Sequence, residues 1–470
     1  MPKAAPIDFK SSLIATELIF DHSGCPGVRH RKANTWGGEM VRVILLLSLL
    51  VAAACCSSAN DGAESWLLAG GNRAVPDCVT RHAPLVWLHS EDPFRPSDLL
   101  QHVHHTRPTV DQSPIAGLPK LSLDNLETLN RVKTGQVALT SKDDVTTLPA
   151  WILGKVPDES GRTVNATPCV VVAVERGPQD LDAFYFYFYS YNRGANLTQV
   201  MEPVNRLIQD VEHGMHFGDH VGDWEHNMIR FRDGQPTGIY YSQHSGGAAY
   251  GWHDEGISLE DERPVVFSAY GSHANYPSPG NHIHDEALID YCDAGKLWDP
   301  VLSAYFYHYH PATSTFTRLL PAGSAVPPTG NLGSFLHYTG LWGDARYPDD
   351  HPLQRTVPLF GLKRFVSGPL GPMAKQLVRG GLSPDSRGSK SWTQRLVGIL
   401  MSWYPCCLRG WRKWLSGAVV AALLVLSMMG LGHGVKRYRA RKGYKKIEAD
   451  IPLGDIDPPG RVAWRGDGEA

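Results

Sequence analysis

Between His213 and Phe231 the chain reads HGMHFGDHVGDWEHNMIRF, four histidines, two aspartates and one glutamate in a single short stretch. Trp224 to Phe231 has the character of a strand, and in a strand successive side chains alternate faces. Asp223 and Glu225 therefore point one way, and Trp224 and His226 the other. His220, in a glycine-flanked turn just before, can fold back toward the two carboxylates. One imidazole and two carboxylates converging on a point can seat a divalent cation, and the oxygen majority selects magnesium, calcium or manganese over zinc. The competing reading makes Trp224 a core residue, the carboxylates a polar face or clamp, and the histidines partners of nearby backbone groups.

The same residues allow a second chemistry. Asp223 and Glu225 held on one face repel each other and raise one pKa unless a cation neutralises them. Water activated on such a cation would support hydrolysis, with His226, His244 or His273 as acid or base. The chain has no G-x-S-x-G elbow, no P-loop and no H-E-x-x-H helix, and Ser245 beside His244 does not make a serine hydrolase. A noncatalytic binding module is the leading expectation, and a metal-dependent hydrolase acting on a glycan, lipid or phosphoester is the alternative.

These side chains need strands to hold them. Val170 to Val174 is β-branched, and Phe184 to Tyr191 alternates phenylalanine with tyrosine along most of its length. Period two places the phenylalanines on a packed face and the tyrosines on an amphipathic one. Gly238 to Gln243 and Val265 to Tyr270 read as further strands, each ending in a histidine-containing turn, and Leu302 to Tyr309 and Thr313 to Leu319 add two more. Loops at one end of a sandwich gather on one surface, so His244, His253, His273, His282 and His284 are candidates for the rim that holds His220. Pro84 to His89 is expected to be the first strand, Ser97 to His105 and Gln199 to Val211 helices, and 109 to 165 an insertion without firm assignment.

The termini set the context. From Met40 the sequence MVRVILLLSLLVAAACCSSAN has the layout of a signal peptide. Residues 1–39 are then a leader or precede the true start, 40–59 the signal and 60–385 a lumenal domain. Residues 391–404 form an interfacial segment, and 415–435 an apolar span. A dense basic run over 436–446 places the tail, 436–470, in the cytoplasm. The expected topology is type I and single-pass, in the Golgi, endosome or vacuole membrane or at the plasma membrane. Sequons at Asn165 and Asn196 fit that topology. Cys78, Cys169 and Cys292 leave room for one disulfide. On the tail, Tyr444 and Ile447 have the spacing of a tyrosine-based sorting signal that a clathrin adaptor would bind as an extended peptide. A net charge of −2 supplies no drive toward nucleic acid. Thirteen tryptophans, eighteen tyrosines and 47 glycines favour strands and tight turns. The fold expected is mainly β, a jelly-roll-like β-sandwich with inserted loops and short helices, followed by one transmembrane helix.

Several stretches, APLVWLHSEDPFRPSD, GDHVGDWEH, YYSQHSGG, YGSHANYPSPG, LWGDARYPDD and FVSGPLGP, occur in order between about Cys78 and Ser383. As a set they resemble the vacuolar protein sorting sixty-two family of fungi, which has plant relatives. The resemblance implies a membrane-anchored or secreted protein linked to delivery of cargo to the vacuole, with no established enzyme activity. The central motif also resembles a segment of the necrosis- and ethylene-inducing proteins, β-sandwiches that recognise sphingolipid head groups. By that resemblance His220, Asp223 and Glu225 bind a divalent cation, with Asp210 or Asp219 as a further acidic partner. Gly222 stands where those proteins have a second histidine. The ligands expected in the lumen are a glycan, a glycolipid or a protein cargo.

Overall fold

The computed structural model describes residues 14–20, 26–32, 73–196, 216–284, 288–321, 333–357, 362–385 and 411–441. The chain divides into two units, 1–71 and 72–470. In the first, the strands Ile14–Phe20 and Pro26–Lys32 form an antiparallel hairpin. The expected signal peptide, the Gln199 to Val211 helix, the 391–404 segment and the tail beyond Arg441, with Tyr444 and Ile447, lie outside the described residues.

The second unit is mainly β. Its principal sheet has seven strands, in spatial order Gly246–Gly251, Gln235–Gln243, His220–Arg232, Asp180–Asn192, Cys169–Gly177, Ala304–His310 and Thr315–Leu319. All neighbours run antiparallel except Cys169–Gly177 and Ala304–His310. A second sheet is built on Arg263–Ser268, paired in parallel with Leu85–Leu88, which in turn pairs with Lys296–Trp298. The expected first strand and the helix Leu99–His105 are present, the helix capped where Asp98 accepts the Gln101 N–H at 2.8 Å.

The aromatic strand explains how the layers meet. Phe184, Phe186 and Phe188 face Trp224, Met228 and Trp342 in the main core. The tyrosines were expected on an amphipathic face, yet Tyr185, Tyr187 and Tyr189 are fully buried. Their hydroxyls explain the difference, because each has a partner. Tyr185 donates to the Val79 carbonyl at 2.6 Å, Tyr187 donates to Asn227 Oδ1 at 2.9 Å, and Tyr189 meets Ser268 Oγ of the second sheet at 3.5 Å. Tyr187 also lies edge-on to Trp298 of that sheet, with centroids 5.3 Å apart.

The 109–165 segment is no loose insertion. Thr106–Val110, Ser113–Pro114 and Ala138–Ser141 form a three-stranded sheet, and Leu123, Leu126, Leu129 and Leu139 close the phenylalanine side of the core. Its short strands and 3-10 turns carry too little periodicity to read from sequence. Cys78, Cys169 and Cys292 are free thiols, so the disulfide is not formed among them. They stand on three different elements, a short helix and two strands of separate sheets. The helix Trp411–Arg441 includes the apolar span, and it is long and apolar enough from Gly417 to Arg441 to cross a membrane.

Candidate functional site: the cleft at the head of the central strand

His220–Arg232 is the central strand, and its register against the aromatic strand fixes which side chains share a face. Asp223, Glu225 and Asn227 lie opposite Tyr189, Tyr187 and Tyr185, whereas Trp224, His226 and Met228 lie opposite the phenylalanines. His220 is not in a preceding turn; it is the first residue of the strand itself. Strict alternation would put it on the side of Trp224. Gly222 interrupts the alternation with a φ of +70°, a backbone open mainly to glycine. A Cβ there would also strike the Trp342 carbonyl oxygen. The histidine that the distant resemblance places at this position therefore has no room in this fold.

With that kink, His220, Asp223 and Glu225 line one cavity of about 310 Å³, together with Arg193, His244 and Lys375. His220 Nδ1 lies 2.7 Å from the Gly222 carbonyl and must donate to it. Burial, above all, lowers its pKa, so the ring is neutral and its lone pair sits on Nε2. Asp223 Oδ2 accepts from His273 Nδ1 at 2.9 Å, and Glu225 Oε2 accepts from Ser242 Oγ. Among the described residues the other oxygens, Asp223 Oδ1 and Glu225 Oε1, carry no hydrogen bond.

The charges follow from these contacts. Burial pushes the Asp223 carboxyl up, but the hydrogen bond and positive charge of His273 outweigh it and hold the carboxyl below its usual value. Burial works against the His273 imidazolium as well, and is overcome by Asp223, Asp92 and Glu225, so its pKa is raised. Glu225 lacks such a partner. Burial drives its pKa to about 7, with Lys375 opposing the rise and the Asp223 charge adding to it. Among the described residues no three His, Cys, Asp or Glu side chains stand close enough together to hold a metal ion in their present rotamers.

The remaining histidines separate by position. His226 points into the core, where Nε2 faces Arg379 Nη2 at 2.9 Å and the ring packs on Phe186 and Tyr240; period two explains its distance from the cleft. His273 is 1 % exposed, stacked flat on Tyr189 with centroids 3.7 Å apart, and does not line the cleft. His244 does line it, with Nε2 2.8 Å from Asp290 Oδ2. His253 is exposed, and His282 stacks on Tyr276. Asp219 accepts from Tyr191 OH at 2.8 Å and from the Gly194 N–H at 2.9 Å, and it lines a smaller neighbouring cavity with His216; Asp210 lies outside the described residues. Sequence reasoning missed Lys375 and Arg193, which come from distant segments. Only the sparsity of cations near so many acids hinted that some must arrive from elsewhere.

Solved structures similar to this chain include Necrosis and Ethylene inducing Protein 2 from the causal agent of cocoa's Witches Broom disease, 16% identical, with a TM-score of 0.20, covering 44% of this chain and 70% of that one. The non-toxic HaNLP3 protein is 12% identical, with a TM-score of 0.22, covering 49% and 73%. Scores of this size describe a partial overlap. The sequence comparisons reach further. The model of the family named vacuolar protein sorting-associated protein 62 matches residues 170–292, which include the whole central strand. In Saccharomyces cerevisiae, the protein named "Putative vacuolar protein sorting-associated protein TDA6" is 32% identical over 351 residues, 68% of this chain and 70% of its own length. Vacuolar protein sorting-associated protein 62 of the same yeast is 31% identical over 334 residues, 65% of this chain and 67% of its own. The first of these relatives is more than 30% identical and is matched over more than two thirds of its own length, and the chain belongs to the vacuolar protein sorting-associated protein 62 family.

Proposed function

We propose that this chain is a single-pass, type I protein of the endomembrane system with a role in vacuolar protein sorting, and that its cleft is a noncatalytic binding site. The cleft takes up a divalent cation, magnesium, calcium or manganese, and through it a polar ligand such as a glycan, a glycolipid head group or a protein cargo. One observation carries this reading. His220 Nε2, Asp223 Oδ1 and Glu225 Oε1 belong to three residues of the same cavity and are the acceptor atoms their other contacts leave over. Small rotamer changes would bring such donors together around an ion that prefers oxygen. The β-sandwich reading draws on the tyrosine face of the large sheet lying against Trp298 and Ser268 of the second. Exposed Asn165 suits a lumenal glycan, and Tyr444 and Ile447 suit an adaptor on the cytoplasmic side.

Glu225 gives the cation site a sign in pH. A carboxyl with a pKa of about 7 must lose its proton to ligate, so binding weakens about tenfold for each pH unit below about 7. Calorimetric titration of the purified chain with each ion between pH 5.5 and 8 measures this. Glu225→Gln should flatten the dependence and weaken binding. If no ion binds at any pH, the cation site and the hydrolase reading fall together. The hydrolase reading retains one supporting feature, a near-neutral Glu225 beside His244 on the cavity wall. Turnover of lumenal glycans or phosphoesters that is lost in His244→Ala with the ion still bound would favour it.

A further inference from the structure

A second cavity, about 570 Å³, shares no lining residue with the cleft. It is lined by residues between Val103 and Lys142, from the end of the Leu99–His105 helix into the stretch whose sequence resisted assignment, and its volume falls within the range of small-molecule sites, about 300–1,000 Å³. Its floor is apolar. Ile115, Leu118 and Leu121 are partly buried and rest on the main core. Its rim carries Arg107, Lys120 and Lys142, all exposed. No aspartate or glutamate lines it, and none of the three cations has an ion-pair partner within 4 Å among the described residues. Lys142 Nζ donates to the His104 carbonyl, which holds that ammonium at the rim. The field these cations make is felt locally. His104 has a lowered pKa, through burial first and then the charges of Lys120 and Lys142.

Three cations without an ion pair within 4 Å, of which only Arg107 feels a nearby carboxylate, Asp344, stand above an apolar trough and are complementary to a ligand with one anionic end and a hydrocarbon body. A bare anion leaves the trough without purpose, and a long polyanion would call for a basic surface in place of a recess. We propose that this groove binds a single-chain anionic amphiphile of the fatty acid type, its carboxylate among Arg107, Lys120 and Lys142 and its chain along Ile115, Leu118 and Leu121.

The test uses the full chain in phosphatidylcholine nanodiscs with a diazirine-bearing fatty acid as photoprobe, and mass spectrometry to place the label. Label is expected on peptides spanning 103–121. It should fall at least about fivefold with excess oleate, and not with oleyl alcohol or inorganic phosphate at the same concentration. The triple variant Arg107→Gln, Lys120→Gln, Lys142→Gln should lose it to a similar degree, while label on the 411–441 helix stays constant as an internal reference. Leu118→Glu keeps the three cations and should lower the label too, which covers a failure of the triple variant to fold. Label confined to the helix, undiminished label in both folded variants, or competition by phosphate or oleyl alcohol as strong as by oleate would overturn the proposal. Phosphate competition would mark a bare-anion site.

Discussion

Asp223 and His273 form a charged pair inside the protein, 6 % and 1 % exposed, 2.9 Å apart, with Asp92 Oδ2 a further 3.5 Å from the other ring nitrogen. Removing one partner leaves the other charge buried and alone, which costs about 3–5 kcal/mol. The pH dependence follows from the directions of the two shifts. The Asp223 carboxyl is depressed, so its contribution is complete above the ordinary aspartate value of about 3.9 and disappears as pH falls through its lower folded value. The His273 imidazolium is raised, so its contribution is complete below the ordinary value of about 6.5 and disappears as pH rises through its higher folded value. The stability difference between wild type and His273→Ala should therefore be largest between about pH 4 and 6.5 and shrink on either side. Equilibrium unfolding over pH 3 to 9 measures it. A difference independent of pH would mean that His273 contributes only its flat stacking on Tyr189.

At the scale of the element, the central strand works because Gly222 breaks its alternation. The residue has no side chain for two separate reasons, a φ of +70° and the Trp342 carbonyl beside it. Gly222→Ala adds backbone strain of about 1–3 kcal/mol and a clash of similar size, so a loss of about 2–5 kcal/mol is expected. Gly234 is the control, because it has a φ of +72° with nothing within 4 Å of a Cβ. Gly234→Ala carries the strain alone and should cost about 1–3 kcal/mol, less than Gly222→Ala by the clash. Equal losses at the two positions would show that the Trp342 contact contributes nothing. Because Gly222 also turns His220 toward the cleft, cation binding should suffer in Gly222→Ala and not in Gly234→Ala.

For the whole molecule, the span Gly417–Arg441 and the homology to yeast vacuolar sorting proteins fit an endomembrane protein anchored once. The proposed type I orientation makes a joint prediction about the two sides of that helix. Endoglycosidase treatment should shift the mobility of the expressed chain, and Asn165→Gln should remove part of that shift. A chain ending at residue 385 should leave the membrane pellet on carbonate extraction, while the full chain stays. A full chain extracted by carbonate would mean that the helix does not span, and a glycan-free Asn165 with the helix embedded would argue for the opposite orientation.

The strand content, the position of most strands along the chain, the apolar span and the shared face of Asp223 and Glu225 could be read from the chain alone. Each depends on a local period, two for the aromatic and central strands and an unbroken apolar run for the helix. The sequence also carried its family resemblance, because the matching motifs are contiguous. Tertiary structure decided the rest. The tyrosine face looked amphipathic and is buried, because its hydroxyls find partners on Val79, Asn227 and Ser268, residues no period connects to it. The 109–165 segment became a wall of the core through leucines whose spacing signals neither helix nor strand. His273 became the charged partner of Asp223, fifty residues away, and Lys375 reached Glu225 across 150 positions. Local periodicity records which way a side chain points from its own strand; which groups it meets there depends on contacts between distant segments, and those set the charge, the burial and the chemistry of this cleft.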